Sequence, residues 1–255
     1  MPAWDPQQYA RYSGERSRPF LELIARIDHA EPASVVDLGC GNGELTAILA
    51  DRWPRAEIVG IDSSPDMLAK APTRPGLEFA LGDIAEWRAD RPIDVIVSNA
   101  ALQWVSGHLD LLPGFIDALT AGGIFAFQVP GNFGMPSHTI LAELRQSPRW
   151  RDKLGGDAVL AGSREPAEYL SRLAGLGCSV DAWETTYLHV LPGEDAVLEW
   201  VKGSALRPVF DRLDAAESAE FLEQYGAALR AVYPKREYGT VFPFRRIFAV
   251  ARKTG

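Results

Sequence analysis

The run Val35-Val36-Asp37-Leu38-Gly39-Cys40-Gly41-Asn42-Gly43 carries the sharpest chemical signal in the 255-residue chain. A short apolar stretch gives way to glycines at alternate positions, the pattern of a buried strand turning tightly into a helix. Glycines there permit positive φ and let a ligand approach the backbone closely. The spacing discriminates between ligands. A dinucleotide fingerprint reads Gly-x-Gly-x-x-Gly and rests a pyrophosphate on the helix N-terminus. Here the third glycine comes one residue early, and Glu44 stands where that fingerprint ends in glycine or alanine. A carboxylate at that place repels a pyrophosphate, which disfavours a nicotinamide dehydrogenase, and tolerates a ligand carrying positive charge.

Two more acids follow in order. Asp62, nineteen residues after Gly43, closes the apolar run Glu57–Asp62. A carboxylate in that position accepts from both hydroxyls of a ribose. Asp83 follows Leu77–Leu81, where it can accept from an adenine amino group. Ser98-Asn99-Ala100-Ala101-Leu102 ends the next apolar run and would face a reacting methyl group. Alone, Asp62 could cap a helix and Asp83 could close a turn. Together with the early-glycine turn they outline a site at the carboxyl ends of parallel strands, where open α/β sheets bind ligands. S-adenosylmethionine, with its sulfonium, ammonium, ribose and adenine, suits that set.

The elements that must hold these residues are legible through residue 130. Strands are expected at Ser34–Leu38, Glu57–Asp62, Leu77–Leu81, Ile93–Ser98 and Ile124–Val129. Leu45, Ile48, Leu49 and Trp53 mark one face of a helix, and Pro65–Ala71 forms a short one capped by Ser63 or Ser64. Gly122-Gly123 is expected to break a helix before the fifth strand. Beyond Pro130 the repeat is less regular. Val180–Leu191 and Arg246–Ala251 read as strands, with amphipathic helices around Ala196–Val201 and Phe221–Leu229 between them. Strands alternating with helices predict an α/β fold with a Rossmann-like doubly wound, mostly parallel seven-stranded sheet. One domain spans 1–255, with a cofactor-binding core at about 34–130 and a helical cap at about 192–240 inserted over the active site.

Composition narrows the partners. A net charge of −8 argues against bulk nucleic-acid binding, which needs a basic footprint, while a few arginines suffice for a small anion. No apolar run is long enough to span a bilayer, and the polar Met1–Gln8 lacks a signal-peptide layout, so a cytoplasmic setting is expected. Cys40 and Cys178 form no metal spacing, and no metal is expected.

Residues 34–130 resemble the class I S-adenosylmethionine-dependent methyltransferase core. In that family the glycine turn holds the methionine part of the cofactor, and residues matching Asp62 and Asp83 hold ribose and adenine. The resemblance implies cofactor contacts by Asp37, Gly39, Gly41, Asp62, Ser63, Met67, Asp83, Ile84 and Asn99, with S-adenosyl-L-homocysteine as product. Ser98-Asn99-Ala100-Ala101 lacks the Pro-Pro-aromatic sequence of members that methylate nucleic-acid amino groups.

Longer stretches are similar to one branch, the trans-aconitate 2-methyltransferases. They include Trp4–Tyr9 with Glu15–Pro19, Ser98–Trp104, Gln128–Asn132, Trp183–His189 and Glu199–Pro208. Gly131 and Ser204 depart from the branch, where an acidic or amide residue and a threonine are expected. The likeness implies methyl esterification of trans-aconitate or a similar small polycarboxylate. A carboxylate is already ionised at neutral pH, so no catalytic general base is expected; the site must align the groups and exclude water. Cations should then grip the carboxylates that do not react. Candidates for binding the substrate are Arg207, His189, Tyr187, Trp104 and Arg164, with Arg16 and Arg18 as further possibilities. Methylation of another small carboxylate or of a hydroxyl group is the rival within enzymes, and a hydroxyl acceptor would want a base near the methyl, for which His108 or His138 would serve. A silent adenosyl-binding module is the rival outside them.

Overall fold

The computed structural model describes residues 13–155, 162–203 and 206–255, and for Ser13–Arg16, Arg207 and Pro208 the backbone alone. After an opening helix α1 (Ser13–Ala25) the chain alternates β1 (Ser34–Leu38), α2 (Glu44–Arg52), β2 (Glu57–Asp62), α3 (Pro65–Leu68), β3 (Leu77–Leu81) and β4 (Ile93–Asn99). Two 3-10 turns, Leu102–Trp104 and His108–Leu111, lead to α4 (Leu112–Asp117) and β5 (Leu119–Pro130). Then come α5 (Pro136–Gln146), α6 (Arg151–Leu154), α7 (Pro166–Gly175), β6 (Cys178–Leu191), α8 (Ala196–Lys202), α9 (Arg207–Phe210), α10 (Ala215–Val232) and β7 (Thr240–Lys253).

The seven strands form one sheet in the order β3–β2–β1–β4–β5–β7–β6. β1 pairs in parallel with both β2 and β4, β2 with β3, and β4 with β5, while β7 runs antiparallel to β5. Every residue of β1 is buried, as a near-continuous apolar run in a parallel sheet requires. The short α3 forms because Pro65 presets its first turn and the Ser64 hydroxyl accepts the amide of Met67. The chain divides into two compact units.

One unit comprises residues 16–130, 161–185 and 246–255. Its core sets Phe125, Phe127, Val129, Ile247, Ala249 and Ala251 from the sheet against Leu102, Phe115, Tyr169 and Leu173. The other contains the described parts of 131–160 and 186–245. Leu141, Trp150, Trp200, Phe221, Tyr225, Phe242 and Phe244 build its own core. Buried polar groups there are answered locally: the Tyr225 hydroxyl donates to the Ser137 carbonyl (2.5 Å), and the Ser137 amide donates to the Tyr233 hydroxyl (3.2 Å). α10 starts with a reciprocal capping box between Asp214 and Glu217.

Several boundaries differ from the sequence expectation. α4 ends at Asp117, and Gly122 lies inside β5 at φ +76°, beside a register shift opposite Ile93–Val95, so the glycine pair accommodates a strand irregularity instead of breaking a helix. α3 stops at Leu68, with turns carrying on to Ala71. On α2 the buried residues are Thr46 and Leu49, while Leu45 and Ile48 are half-buried. β7 begins six residues before Arg246, and α5 and α7 form where the sequence reading expected no helix.

Candidate functional site

The glycine turn takes its shape from left-handed backbone: Gly39, Gly41 and Gly43 have φ of +82°, +59° and +73°. A Cβ on Gly39 would stand 2.2 Å from the Cβ of Ala101, so the turn and the segment after β4 are in direct contact only because the side chain is missing. At Gly41 the one neighbour within 4 Å is the half-buried Met67, whose Cε would be 3.2 Å away. Gly41 is itself half-buried, and apart from Met67 nothing crowds the side where a Cβ would stand.

Asp62, at the carboxyl end of β2, locks this turn. Its Oδ2 accepts the amide of Gly41 at 2.8 Å and its Oδ1 the amide of Ser64 at 2.9 Å. The amides of Gly39 and Cys40 both donate to the Ile61 carbonyl (2.8 and 3.0 Å). Each Asp62 oxygen retains a lone pair, which is what a ribose diol needs. Ser63, between these contacts, is exposed.

Asp37 lies deeper, only 2% exposed, and accepts from the Thr46 hydroxyl at 2.7 Å. Burial pushes its carboxyl up to about 6; the Thr46 bond opposes that rise and the nearby charge of Asp62 adds to it. Asp83 is exposed just past β3, where its Oδ1 accepts the Ala85 amide at 2.8 Å, and the neighbouring Ile84 is buried. Carboxylates at or just past the carboxyl ends of β1, β2 and β3, beside a glycine turn, favour a ligand with hydroxyl, amino and cationic groups over a polyphosphate. The residues present therefore fit S-adenosylmethionine.

After β4 the backbone turns sharply. Ala100, the one non-glycine residue with positive φ among the described residues (+53°), donates its amide to the Gln128 carbonyl at 2.8 Å. Its own carbonyl accepts from the Gln103 side chain at 2.5 Å. The Asn99 carboxamide oxygen is buried at this turn with no hydrogen-bond partner among the described residues.

The substrate candidates divide between the two units. Trp104 is 55% exposed on the turn after β4. Arg164 is exposed, with Glu168 3.9 Å from its guanidinium, and its backbone amide donates to the Tyr169 hydroxyl at 3.1 Å. Tyr187 and His189 belong to the other unit: His189 is buried and stacks on Trp200 with ring centroids 4.9 Å apart and on Tyr187 at 6.2 Å. Arg207 opens α9, but its side chain, like that of Arg16, is not among the described atoms, and Ser204 lies outside the described residues.

Of the two suspected bases, His108 is buried, with Nε2 2.8 Å from the Tyr169 hydroxyl, and burial lowers its pKa. His138, in the other unit, lies 3.2 Å from the Ser137 hydroxyl, and burial lowers it to about 4.

One residue the sequence reading did not single out is Arg246, which is 6% exposed and donates to the Gln128 side-chain oxygen at 3.4 Å. A signal was present. Phe242, Phe244, Arg246 and Phe248 are alternate residues of β7 and all are buried, so the arginine occupies the inward phase of a period-two strand.

A family profile described as a methyltransferase domain matches residues 35–123. The trans-aconitate 2-methyltransferase of Streptomyces coelicolor is 54% identical, covering 99% of this chain and 87% of its own. That of Rhodococcus jostii is 48% identical (98% and 99%), and that of Mycobacterium tuberculosis 45% (99% and 97%). Among solved structures, an S-adenosylmethionine-dependent methyltransferase from Mesorhizobium loti matches with a TM-score of 0.53 at 19% identity, over 92% of this chain and 97% of its own. The plantazolicin methyltransferase bound to S-adenosylhomocysteine matches at 0.55 and 14%, over 98% and 90%.

Proposed function

The chain belongs to the trans-aconitate 2-methyltransferase family of S-adenosylmethionine-dependent methyltransferases, and from that premise we propose that it is a cytoplasmic enzyme esterifying one carboxylate of trans-aconitate or a similar small polycarboxylate. When bound, the cofactor supplies an electrophilic methyl group on a sulfonium sulfur.

In this reading Asp62 accepts from the ribose hydroxyls, Asp83 from the adenine amino group, and Asp37 lends negative potential to the cationic end. Gly39 and Gly41, with Ser63, Met67 and Ile84, wall the same cleft, and Asn99 borders the acceptor side. The acceptor carboxylate is anionic at neutral pH and needs no proton removed, so the protein's task is alignment and exclusion of water. Opposite charges are lost along the path, which a low-dielectric site favours. Trp104, Arg164, Arg207, Tyr187 and His189 remain the sequence-derived candidates for the acceptor, as does a helical cap within 192–240.

The observation that carries the reading is the trio of acids Asp37, Asp62 and Asp83 at or just past the carboxyl ends of successive parallel strands, with Asp62 bonded to the glycine turn, in a chain of this family. The test is methyl transfer from labelled S-adenosylmethionine to a panel of di- and tricarboxylic acids, phenols and alcohols. A base-labile methyl ester forming fastest on trans-aconitate is expected. Transfer to hydroxyl acceptors with no carboxylate used would overturn it.

A further inference from the structure

Resting on that reading of the acceptor class, we propose that His108 and Tyr169 are positioning residues, which anchor the Arg164 backbone so that its guanidinium receives a carboxylate of the acceptor. A carboxylate nucleophile leaves His108 with no proton to move. Yet this histidine is 3% exposed and bonded to a tyrosine that is fully buried.

The bonds run in one consistent direction. The Tyr169 hydroxyl accepts the Arg164 amide at 3.1 Å, and its own hydrogen needs an acceptor, since buried hydroxyls rarely go unpaired. His108 Nε2, 2.8 Å away, is its one acceptor among the described residues. Burial, the largest influence, holds the His108 pKa below the ordinary 6.5, so the ring is neutral at pH 7 and can accept. The Val105 backbone and the charges of Arg164, Glu168 and Asp110 act on it as well. Arg164 N–H thus donates to Tyr169 and Tyr169 O–H to His108, which ties the approach to α7 to the segment after β4.

Sheet register places this chain of bonds at the carboxyl end. β7 runs from Arg246 opposite Pro130 to Arg252 opposite Ile124, and beyond it the Thr254 amide donates to the Gly177 carbonyl at 3.1 Å. Gly177 lies just past α7, so that helix finishes toward the amino end of the sheet and begins toward the carboxyl end. Tyr169, in its first turn, sets its ring edge-on to Phe127 with centroids 4.9 Å apart, and Phe127 pairs with Ser98. From Ser98 the chain leads through Ala100 to Ala101, packed against Gly39 of the cofactor turn. Arg164 therefore stands at the same end of the sheet as that turn, held by its main chain. Its side chain is 55% exposed, with Glu168 3.9 Å from the guanidinium, a long surface contact of the kind that contributes little. A substrate carboxylate that meets the planar guanidinium with two parallel bonds is the stronger partner. Anchoring the main chain beforehand lowers the ordering cost of that encounter.

The test is steady-state methyl transfer to trans-aconitate by the full-length enzyme. Wild type is compared with Tyr169→Phe, Arg164→Gln, the two combined, His108→Gln and His108→Leu. Tyr169→Phe keeps the ring on Phe127 and removes both bonds. It should raise the acceptor KM about tenfold, with kcat and S-adenosylmethionine affinity little changed. Arg164→Gln should raise KM at least as far, and the combined variant no further, because the anchor has no effect once the guanidinium is gone. His108→Gln, which retains an acceptor for the hydroxyl, should stay near wild type, while His108→Leu should match Tyr169→Phe. Unchanged KM in Tyr169→Phe or Arg164→Gln, effects that multiply in the combined variant, or losses in His108→Gln equal to those in His108→Leu overturn the positioning role. If no carboxylate is methylated, calorimetric binding of tricarballylate, an unreactive tricarboxylate, to the protein saturated with S-adenosylhomocysteine separates the two claims. Binding that Arg164→Gln and Tyr169→Phe both lose overturns only the acceptor reading. No binding to wild type, or binding that neither variant changes, overturns the positioning role as well.

Discussion

The Asp62 carboxylate and the Gly41 amide are joined by a 2.8 Å hydrogen bond, so the acid proposed to hold the ribose also fixes the glycine turn on which the ligand rests. Asp62→Ala should therefore lose two things at once, the contact with the cofactor and the shape of the turn. Loss of charge-assisted bonds of this kind costs roughly 1.5–3 kcal/mol. Calorimetry should show S-adenosylmethionine binding weakened by more than about tenfold in a protein that still unfolds cooperatively. Equal affinity in the variant would remove Asp62 from the site.

Gly39 and Gly114 make a matched pair for testing the turn. Gly39→Ala forces a Cβ to within 2.2 Å of Ala101 at a φ of +82°, so backbone must move. Strained placements of this type cost on the order of 1–3 kcal/mol, and cofactor binding should fall with them. Gly114 lies exposed in α4 with nothing within 4 Å of an added Cβ. Gly114→Ala should leave binding alone and stabilise by about 0.5–1 kcal/mol through the unfolded chain. Urea titrations of the two variants with opposite signs are expected; equal effects would count against the close packing at Gly39.

Asp37 gives stability a pH dependence of definite sign. Its folded pKa, about 6, lies above the ordinary 3.8, so the folded state binds more protons between these values. The stabilisation from protonated Asp37 is complete below 3.8 and is lost as pH rises through about 6. The shift corresponds to about 3 kcal/mol at most. Asp37→Asn keeps an acceptor for Thr46 and removes the buried charge. It should be the more stable protein at pH 7.5, differ less at pH 5, and bind S-adenosylmethionine more weakly. Parallel stability curves for the two proteins would contradict the assignment.

Turnover should be nearly flat from neutrality upward, because the nucleophile is already ionised. His108→Gln keeps a partner for the Tyr169 hydroxyl, and its kcat should stay within about tenfold of wild type. A true general base contributes about 10²–10⁴-fold. Loss of that size, together with a rate limb near neutral pH that vanishes in the variant, would move the acceptor from a carboxylate to a hydroxyl.

Strands β1 to β4 were legible almost to the residue: β1, β2 and β4 are short, largely buried apolar runs stopped by the polar residues that use their carboxyl ends, and the more exposed edge strand β3 is a short apolar run as well. The Pro65 and Ser64 start of α3 was legible for the same local reasons. β7 was under-read because Pro243 interrupts its pattern. That proline lies beyond Pro130↔Arg246, where the β5 ladder ends, so no β5 partner is lost there. The helices α5 and α7 each bury large residues, such as Leu141 and Tyr169, on one amphipathic face, so their period was present in the sequence and was missed. Of the candidate site, the cofactor half was written in consecutive motifs. Arg246 was not, because its meaning depends on a cross-strand neighbour, Gln128, 118 positions away.

Ala100 adopts a conformation that glycine would enter at no steric cost, yet it carries a methyl group. The amide tie to Gln128 and the Gln103 side chain on its carbonyl hold it there. An alanine forfeits less chain entropy on folding than a glycine would, so the turn is stiff as well as bent. A rigid corner between the cofactor turn and the acceptor side acts as a fixed template that does not remodel around each guest. Discrimination among acceptors then comes from shape and the spacing of their charges, and preorganisation lowers the ordering cost of each encounter.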